Sequence, residues 1–175
     1  MTSRSSEPRV PCIVVIGVSG TGKTTVARLL AKRLDLPFAD ADDAHPPGNI
    51  AKMAAGVPLD DADREPWLQA VGHWLHERQA AGTGCVVACS ALKRRYRDTL
   101  RAACPGVFFL HLTARHELLE QRLDHRRGHF MPPLLLDSQL AALEPLEPDE
   151  RGASLDAGPT PDVIAETAVR LLPRA

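Results

Sequence analysis

Gly17-Val18-Ser19-Gly20-Thr21-Gly22-Lys23-Thr24 fits the pattern G-x-x-x-x-G-K-[ST] without a gap. It follows an apolar run, Cys12-Ile-Val-Val-Ile16, and opens a helix-period segment, the strand–loop–helix context that this pattern needs. Glycines let successive backbone N–H groups curl round a phosphate, and the helix N-terminus adds a partial positive charge. Lys23 is expected to reach the β- and γ-phosphates, and the Thr24 hydroxyl to be a Mg²⁺ ligand. Gly17, Ser19, Gly20, Thr21, Gly22, Lys23, Thr24 and Thr25 are the expected nucleotide-binding residues. The stretch predicts a phosphate-binding loop (P-loop) that takes a nucleoside triphosphate.

Working outward, apolar runs alternate with helix-period segments. Strands are expected over 12–17, at 37–39, and over 85–89, 107–112 and 153–155. Helices are expected over 23–34, 61–81, 93–103, 115–127, 134–143 and 161–172, the last with Pro161 in its first turn. In the 61–81 segment Trp67, Leu68, Val71, Trp74 and Leu75 make an apolar stripe at helical spacing, which reads both tryptophans as core. Near-continuous apolar strands alternating with helices predict an α/β fold with a parallel sheet covered on both faces. Ligands are then expected at the carboxyl ends of the strands. Residues 1–10 read as a disordered tail, and 11–175 as one domain.

Composition narrows the function classes. At 175 residues, with 44 % hydrophobic and 25 % charged residues, the chain is of ordinary globular type. A net charge of −1 provides no global basic field, so nucleic acid is not an expected partner. The polar start of the chain lacks an apolar leader core, and no apolar run reaches membrane-spanning length, so a soluble, cytoplasmic protein with no membrane partner is expected. Cys12, Cys85 and Cys89 fall in expected buried strands and Cys104 near a helix end, with no C-x-x-C pair, which favours reduced core thiols over disulfides or metal ligation.

A second constellation begins after the second strand: Phe38-Ala-Asp40-Ala-Asp42-Asp43-Ala-His45-Pro46-Pro47-Gly48-Asn49. Two acids at i and i+2 off a strand end point to one side. In a phosphoryl-transfer site one acid can work through Mg²⁺ while the other orients the acceptor hydroxyl and takes its proton. A solvated acidic turn is the alternative, and the neighbouring P-loop favours chemistry. Asp40 is the expected metal-side acid with Thr24, and Asp42 the acceptor-side one.

From His45 to Leu68 the sequence matches H-P-x-x-N-x-x-K-M-x-x-G-x-P-L-x-D-x-D-R-x-P-W-L, and Cys89-Ser90-Ala91-Leu92-Lys93, Tyr96-Arg97-Asp98, Arg122-Leu123, Arg126 and Gly128-His129-Phe130 follow in order. Over roughly 12–145 the chain resembles the gluconokinase family. The resemblance implies ATP-dependent phosphorylation of D-gluconate at its 6-hydroxyl. It also implies a P-loop NTPase fold of the nucleoside monophosphate and shikimate kinase type, with a five-stranded parallel sheet, an acceptor region over about 40–75 and a mobile lid over about 126–136. A homodimer is implied as well. Carried onto this sequence, the catalytic set is Lys23, Asp42, Arg122 and Arg126. The gluconate contacts are Asp42, His45, Lys52, Arg64, Lys93, Arg97 and His129, whose cations suit a carboxylate and whose polar groups suit hydroxyls.

Two departures stand out. Ser90, not an acid, follows the 85–89 strand where many P-loop enzymes carry a second Mg²⁺-supporting carboxylate, and Asp40 is the expected replacement. Asp40-Ala41-Asp42 stands where the family often has D-G-D. Competing readings are a kinase for another small hydroxy acid, against which the His45–Leu68 signature argues, and a nucleotide sensor or RNA-binding module. The basic run Lys93-Arg94-Arg95-Tyr96-Arg97 is the best argument for RNA, but it interleaves a single aromatic.

Overall fold

A strand that is apolar at every position has to be covered on both faces, and β1 (Cys12–Ile16) is buried along its whole length. It is the centre of the sheet. In the computed structural model, which describes residues 10–125 and 133–173, β1 is joined by β2 (Phe38–Asp40), β3 (Cys85–Ala88), β4 (Phe108–Thr113) and β5 (Gly152–Asp156). The order is β2-β3-β1-β4-β5 and every pairing is parallel, with Val14 level with Val87 on one side and Phe109 on the other.

The helices are α1 (Lys23–Leu34), α2 (Pro47–Ala54), α3 (Asp61–Ala80), α4 (Arg94–Ala103), α5 (His116–Asp124), α6 (Pro133–Ala142) and α7 (Pro161–Leu171). The two-residue period of β1 divides the core. Ile13 and Val15 pack with Val26 and Leu30 of α1 and Ile164 and Ala168 of α7. Cys12, Val14 and Ile16 pack on the other face with Trp67, Val71 and Leu75 of α3 and Tyr96 and Leu100 of α4. Each such aliphatic burial contributes roughly 1.5–3 kcal/mol. All four cysteines are buried free thiols, Cys12 level with Cys85 on the neighbouring strand.

From β1 the chain runs through α1 to β2 on one side of the sheet, while β4 leads to β5 on the other. The crevice between diverging connections, beyond the carboxyl ends of the strands, is where an open α/β sheet binds ligands. The P-loop leaves β1 at that end. Gly17 has φ of +151°, and a Cβ there would stand 2.8 Å from the Leu112 carbonyl oxygen, so the loop can start only at a residue without a side chain.

The expected elements are present with ends shifted by a residue or a few. Three differences bear on the site. β2 runs to Asp40, so that acid stands on the strand itself. A short 3₁₀ turn (Ala41–Ala44) and α2 occupy a stretch in which no helix was expected. Pro47 starts α2, where its fixed φ suits the first helical position. Helix α5 stops at Asp124, short of the expected 127. Of the expected lid, 126–132 lies outside the described residues, and 133–136 belongs to α6. Among the described residues no helix is long and apolar enough to cross a membrane.

Candidate active site

The P-loop is braced from within and from behind. The Thr21 hydroxyl donates to the Val18 carbonyl at 2.9 Å, and Lys23 Nζ arches back to the same oxygen at 3.2 Å. Helix α1 starts from Gly22 in the left-handed region, with no side-chain cap on its amides and no acid in its first turn. An uncapped, acid-free N-terminus is electrostatically matched to phosphate. Behind the loop, Arg122 of α5 donates to the carbonyls of Gly20 and Thr21 at 3.3 Å each and to Ala157 at 2.6 Å. Across a planar trans peptide the N–H points opposite to the C=O, so this grip turns the amides of Thr21 and Gly22 away from Arg122.

Arg122 borders a cavity of about 350 Å³ with Gly20, Gly22, Thr25, Pro159 and Ile164. Arg122, expected among the catalytic cations, thus stands behind the loop and lines this cavity, not the one that holds Lys23 and Asp42. Its guanidinium donates to backbone carbonyls on the side of the loop that faces Ala157, Pro159 and Ile164.

A second cavity, about 270 Å³, opens on the other side of the loop. Ser19 and Lys23 form one wall, Asp42 and His45 a second, Met53 and Val57–Leu59 a third, Arg64 and Trp67 a fourth. Ser90 and the α6 residues Leu135, Ser138 and Gln139 complete it. The acid pair divides between α1 and this cavity. Asp40 Oδ2 accepts the Thr24 hydroxyl at 2.9 Å, and its Oδ1 accepts the Asp42 amide at 3.0 Å, which caps the 3₁₀ turn and aims Asp42 onward. Asp40 and Thr24 thus form one oxygen cluster, a donor set that suits Mg²⁺. Among the described residues no group of three or more His, Cys, Asp and Glu could hold a metal by itself.

His45 stacks on Trp67, centroids 4.3 Å apart and planes 13° from parallel. Trp67 is core, as its spacing predicts, and its indole N–H donates to the Ala41 carbonyl at 2.6 Å, which ties α3 to the acid turn. Asn49 Nδ2 donates to the Asp63 carbonyl at 2.8 Å and stands 3.3 Å from His45 Nδ1. With an amide N–H facing it, Nδ1 accepts and the ring proton sits on Nε2. Burial, and then the Arg64 charge, push the His45 pKa down to about 4, so the ring is neutral at neutral pH. A neutral imidazole beside a guanidinium offers hydroxyls a partner without repelling the cation.

This has a measurable consequence. The folded-state pKa lies below the usual 6.5, so as pH falls through 6.5 the unfolded chain takes up the proton first. Stability from this group is complete above that value and is lost on the way down to about 4, at up to about 1.4 kcal/mol per pH unit. Melting temperature is expected to drop between pH 7 and pH 5, with a shallower drop in His45→Gln. Equal slopes in calorimetry would show that His45 titrates normally.

The expected substrate cations divide. Arg64 borders this second cavity, held by Nη1 bonds to the Leu59 carbonyl at 2.5 Å and the Tyr96 hydroxyl at 3.3 Å, with the guanidinium over the Tyr96 ring. The other three do not line it among the described residues. Lys52 pairs with Asp63 at 2.8 Å, joining α2 to the start of α3, and this bond raises its pKa. Lys93 pairs with Asp61 at 3.1 Å, and Asp61 also accepts from Tyr96 and Arg95. Arg97 is fully buried: Nε meets Glu150 Oε1 at 2.6 Å and Nη2 meets Oε2 at 3.1 Å, while the carbonyls of Ala91, Leu92 and Pro145 take further N–H groups. Arg97, expected as a gluconate contact, is placed in a buried ion pair away from this cavity, while Lys52 and Lys93 lie in ion pairs with Asp63 and Asp61. Arg126 and His129 lie outside the described residues.

Sequence reasoning missed Asn49, Ser138, Gln139 and Glu150. Asn49 stood inside the quoted signature and could have been found there. Nothing local marks the other three: Gln139 and Glu150 meet partners 120 and 53 positions away, and Ser138 comes to the cavity only through the packing of α6.

With the geometry in view, comparisons with known proteins add the following. The AAA-domain family model matches residues 12–146. A gluconokinase from Gluconobacter oxydans is 48 % identical over 169 residues, covering 97 % of this chain and 94 % of that protein. Among solved structures, an unliganded sugar kinase from Janibacter sp. superposes with a TM-score of 0.88 at 49 % identity, covering 93 % of this chain and 94 % of the other. A gluconokinase from Sinorhizobium meliloti gives a TM-score of 0.84 at 43 % identity, covering 94 % and 93 %.

Proposed function

Because this chain belongs to the gluconokinase family, we propose that it transfers the γ-phosphoryl group of ATP to the 6-hydroxyl of D-gluconate, giving 6-phospho-D-gluconate and ADP. The observation that carries the reading is the acceptor cavity, which adjoins the P-loop through Ser19 and Lys23 and presents Asp42, neutral His45 and Arg64 together. A carboxylate, an imidazole and a guanidinium are the groups a small polyhydroxy acid calls for.

Asp42 orients the acceptor hydroxyl and takes its proton as the oxygen attacks phosphorus and the bond to ADP breaks. Lys23 follows the γ-phosphoryl across the boundary of the two cavities, and Arg64 holds the acceptor carboxylate. Thr24 and Asp40 would hold Mg²⁺, one by its hydroxyl and the other by its carboxylate, and the ion supplies neutralisation of phosphate charge. Arg126 as a further catalytic cation, His129 as a gluconate contact, 126–136 as a lid and a homodimer are proposed from the resemblance, and a cytoplasmic location from the composition. The native mass in solution tests the dimer.

ADP release measured across a panel of sugar acids and shikimate tests the function. Gluconate is expected to give by far the largest kcat/KM, with one phosphogluconate formed per ADP. Turnover with shikimate and none with gluconate would assign the cavity to another acid, and no turnover with any acceptor would favour a nucleotide sensor.

A further inference from the structure

Among the described residues, helix α6 hydrogen-bonds to the P-loop through Gln139. Gln139 Oε1 accepts the backbone N–H of Ser19 at 2.7 Å, and its Nε2 donates to the Ser19 hydroxyl at 3.2 Å. Both ends of the amide grip a single residue 120 positions away. The grip stands on a firm base: Leu136 of α6 is 2 % exposed and packs with Val18, Leu92 and Leu119, joined by Leu140 beside Gln139.

Ser19 is the third residue of the loop and has a particular place. It borders the acceptor cavity with Lys23 and Asp42, whereas Gly20, Thr21 and Gly22 border the cavity on the far side. A phosphoryl group moving from the loop to a hydroxyl beside Asp42 passes the Ser19 wall. That wall is a turn outside regular structure, so its position depends on its partners. Transfer is sensitive to placement, and a shift of about 1 Å can cost on the order of 10²-fold in rate.

We propose that Gln139 is a positioning residue for phosphoryl transfer, resting on the kinase reading above. By holding the Ser19 amide and hydroxyl, it fixes the loop wall between donor and acceptor. It also ties the α6 side of the acceptor cavity, where Leu135 and Ser138 stand, to the loop that carries the nucleotide. Gln139 acts through Ser19 and not by contact with the reacting atoms.

Gln139→Met removes both hydrogen bonds at nearly constant volume. Gln139→Glu can still accept from the Ser19 amide and hydroxyl, so its fold is retained, but it sets a negative charge beside the path of the phosphoryl group. Kinetics are normalised to the fraction of each preparation that binds ADP. Gln139→Met is expected to lose about 10- to 100-fold in kcat, to keep the KM for ATP within about threefold, and to release more than one ADP per phosphogluconate as water competes with a misplaced acceptor. Gln139→Glu is expected to melt with the parent and to lose at least as much kcat. Parental kcat in Gln139→Met overturns the inference, as does a loss in that variant that tracks unfolding with the ADP-to-product ratio still at one. A parent that does not phosphorylate gluconate overturns the functional reading and this inference with it. An active parent matched by its variants overturns the inference alone.

Discussion

Asp42→Asn is expected to lower kcat with ATP and gluconate by roughly 10²- to 10⁴-fold, the range a positioned general base contributes. The substitution keeps shape and hydrogen-bonding size, so the 3₁₀ turn survives: its cap is the Asp40 carboxylate on the Asp42 amide, which asparagine still provides. Asp42 stands in the acceptor cavity, whereas the Thr24 hydroxyl is held by Asp40. The KM for ATP should therefore stay within about threefold, because the removed charge acts on the acceptor oxygen during transfer. Asp40→Asn should behave differently, raising the Mg²⁺ concentration needed for half-maximal rate. If Asp42→Asn changed the Mg²⁺ requirement and Asp40→Asn did not, the two roles would be exchanged.

Glu150→Ala is expected to be the most destabilising single change at a charged residue, by about 3–5 kcal/mol, because it strands the Arg97 guanidinium in the core. Side-chain exposures are 0 % for Arg97 and 1 % for Glu150, so water cannot replace the lost carboxylate. Burial alone would raise the Glu150 carboxyl. The Arg97 hydrogen bonds and the Glu147 amide outweigh it and hold the group below the usual carboxylate range. The pair's contribution is accordingly present above that range and fades as the pH falls through it. For a chain of this size the expected loss corresponds to a melting temperature lower by roughly 6–20 °C. The paired replacement Arg97→Met with Glu150→Leu should recover much of it, since apolar groups of similar volume avoid the desolvation cost. In that double variant the KM for gluconate should match the parent. A tenfold rise there, with the fold intact, would return Arg97 to the substrate site.

The P-loop, the strand–helix alternation, the core tryptophan at 67 and the acid pair were all legible from short stretches. Each depends on residues close in the chain: glycines permit the turn, a run of five apolar residues needs cover on both faces, and two acids flank one strand end. The fates of the basic residues were not legible. Arg64, Lys52, Lys93 and Arg97 carry the same charge within one resemblance, yet they end on the acceptor cavity, on Asp63, on Asp61 and inside the core with Glu150. What a cation does is set by which carboxylate or carbonyl comes within hydrogen-bonding reach, and those partners arrive from 11 residues away for Lys52 but from 53 for Arg97. Arg122 found backbone carbonyls of the loop from 102 and 101 positions away, and Gln139 found Ser19 from 120. Local sequence thus determined that this chain builds a phosphate cradle at the end of a parallel sheet. Only the packing of α4, α5 and α6 around that cradle decided which polar side chains face a substrate and which hold the walls, because that choice is made by contacts between segments that no local pattern records.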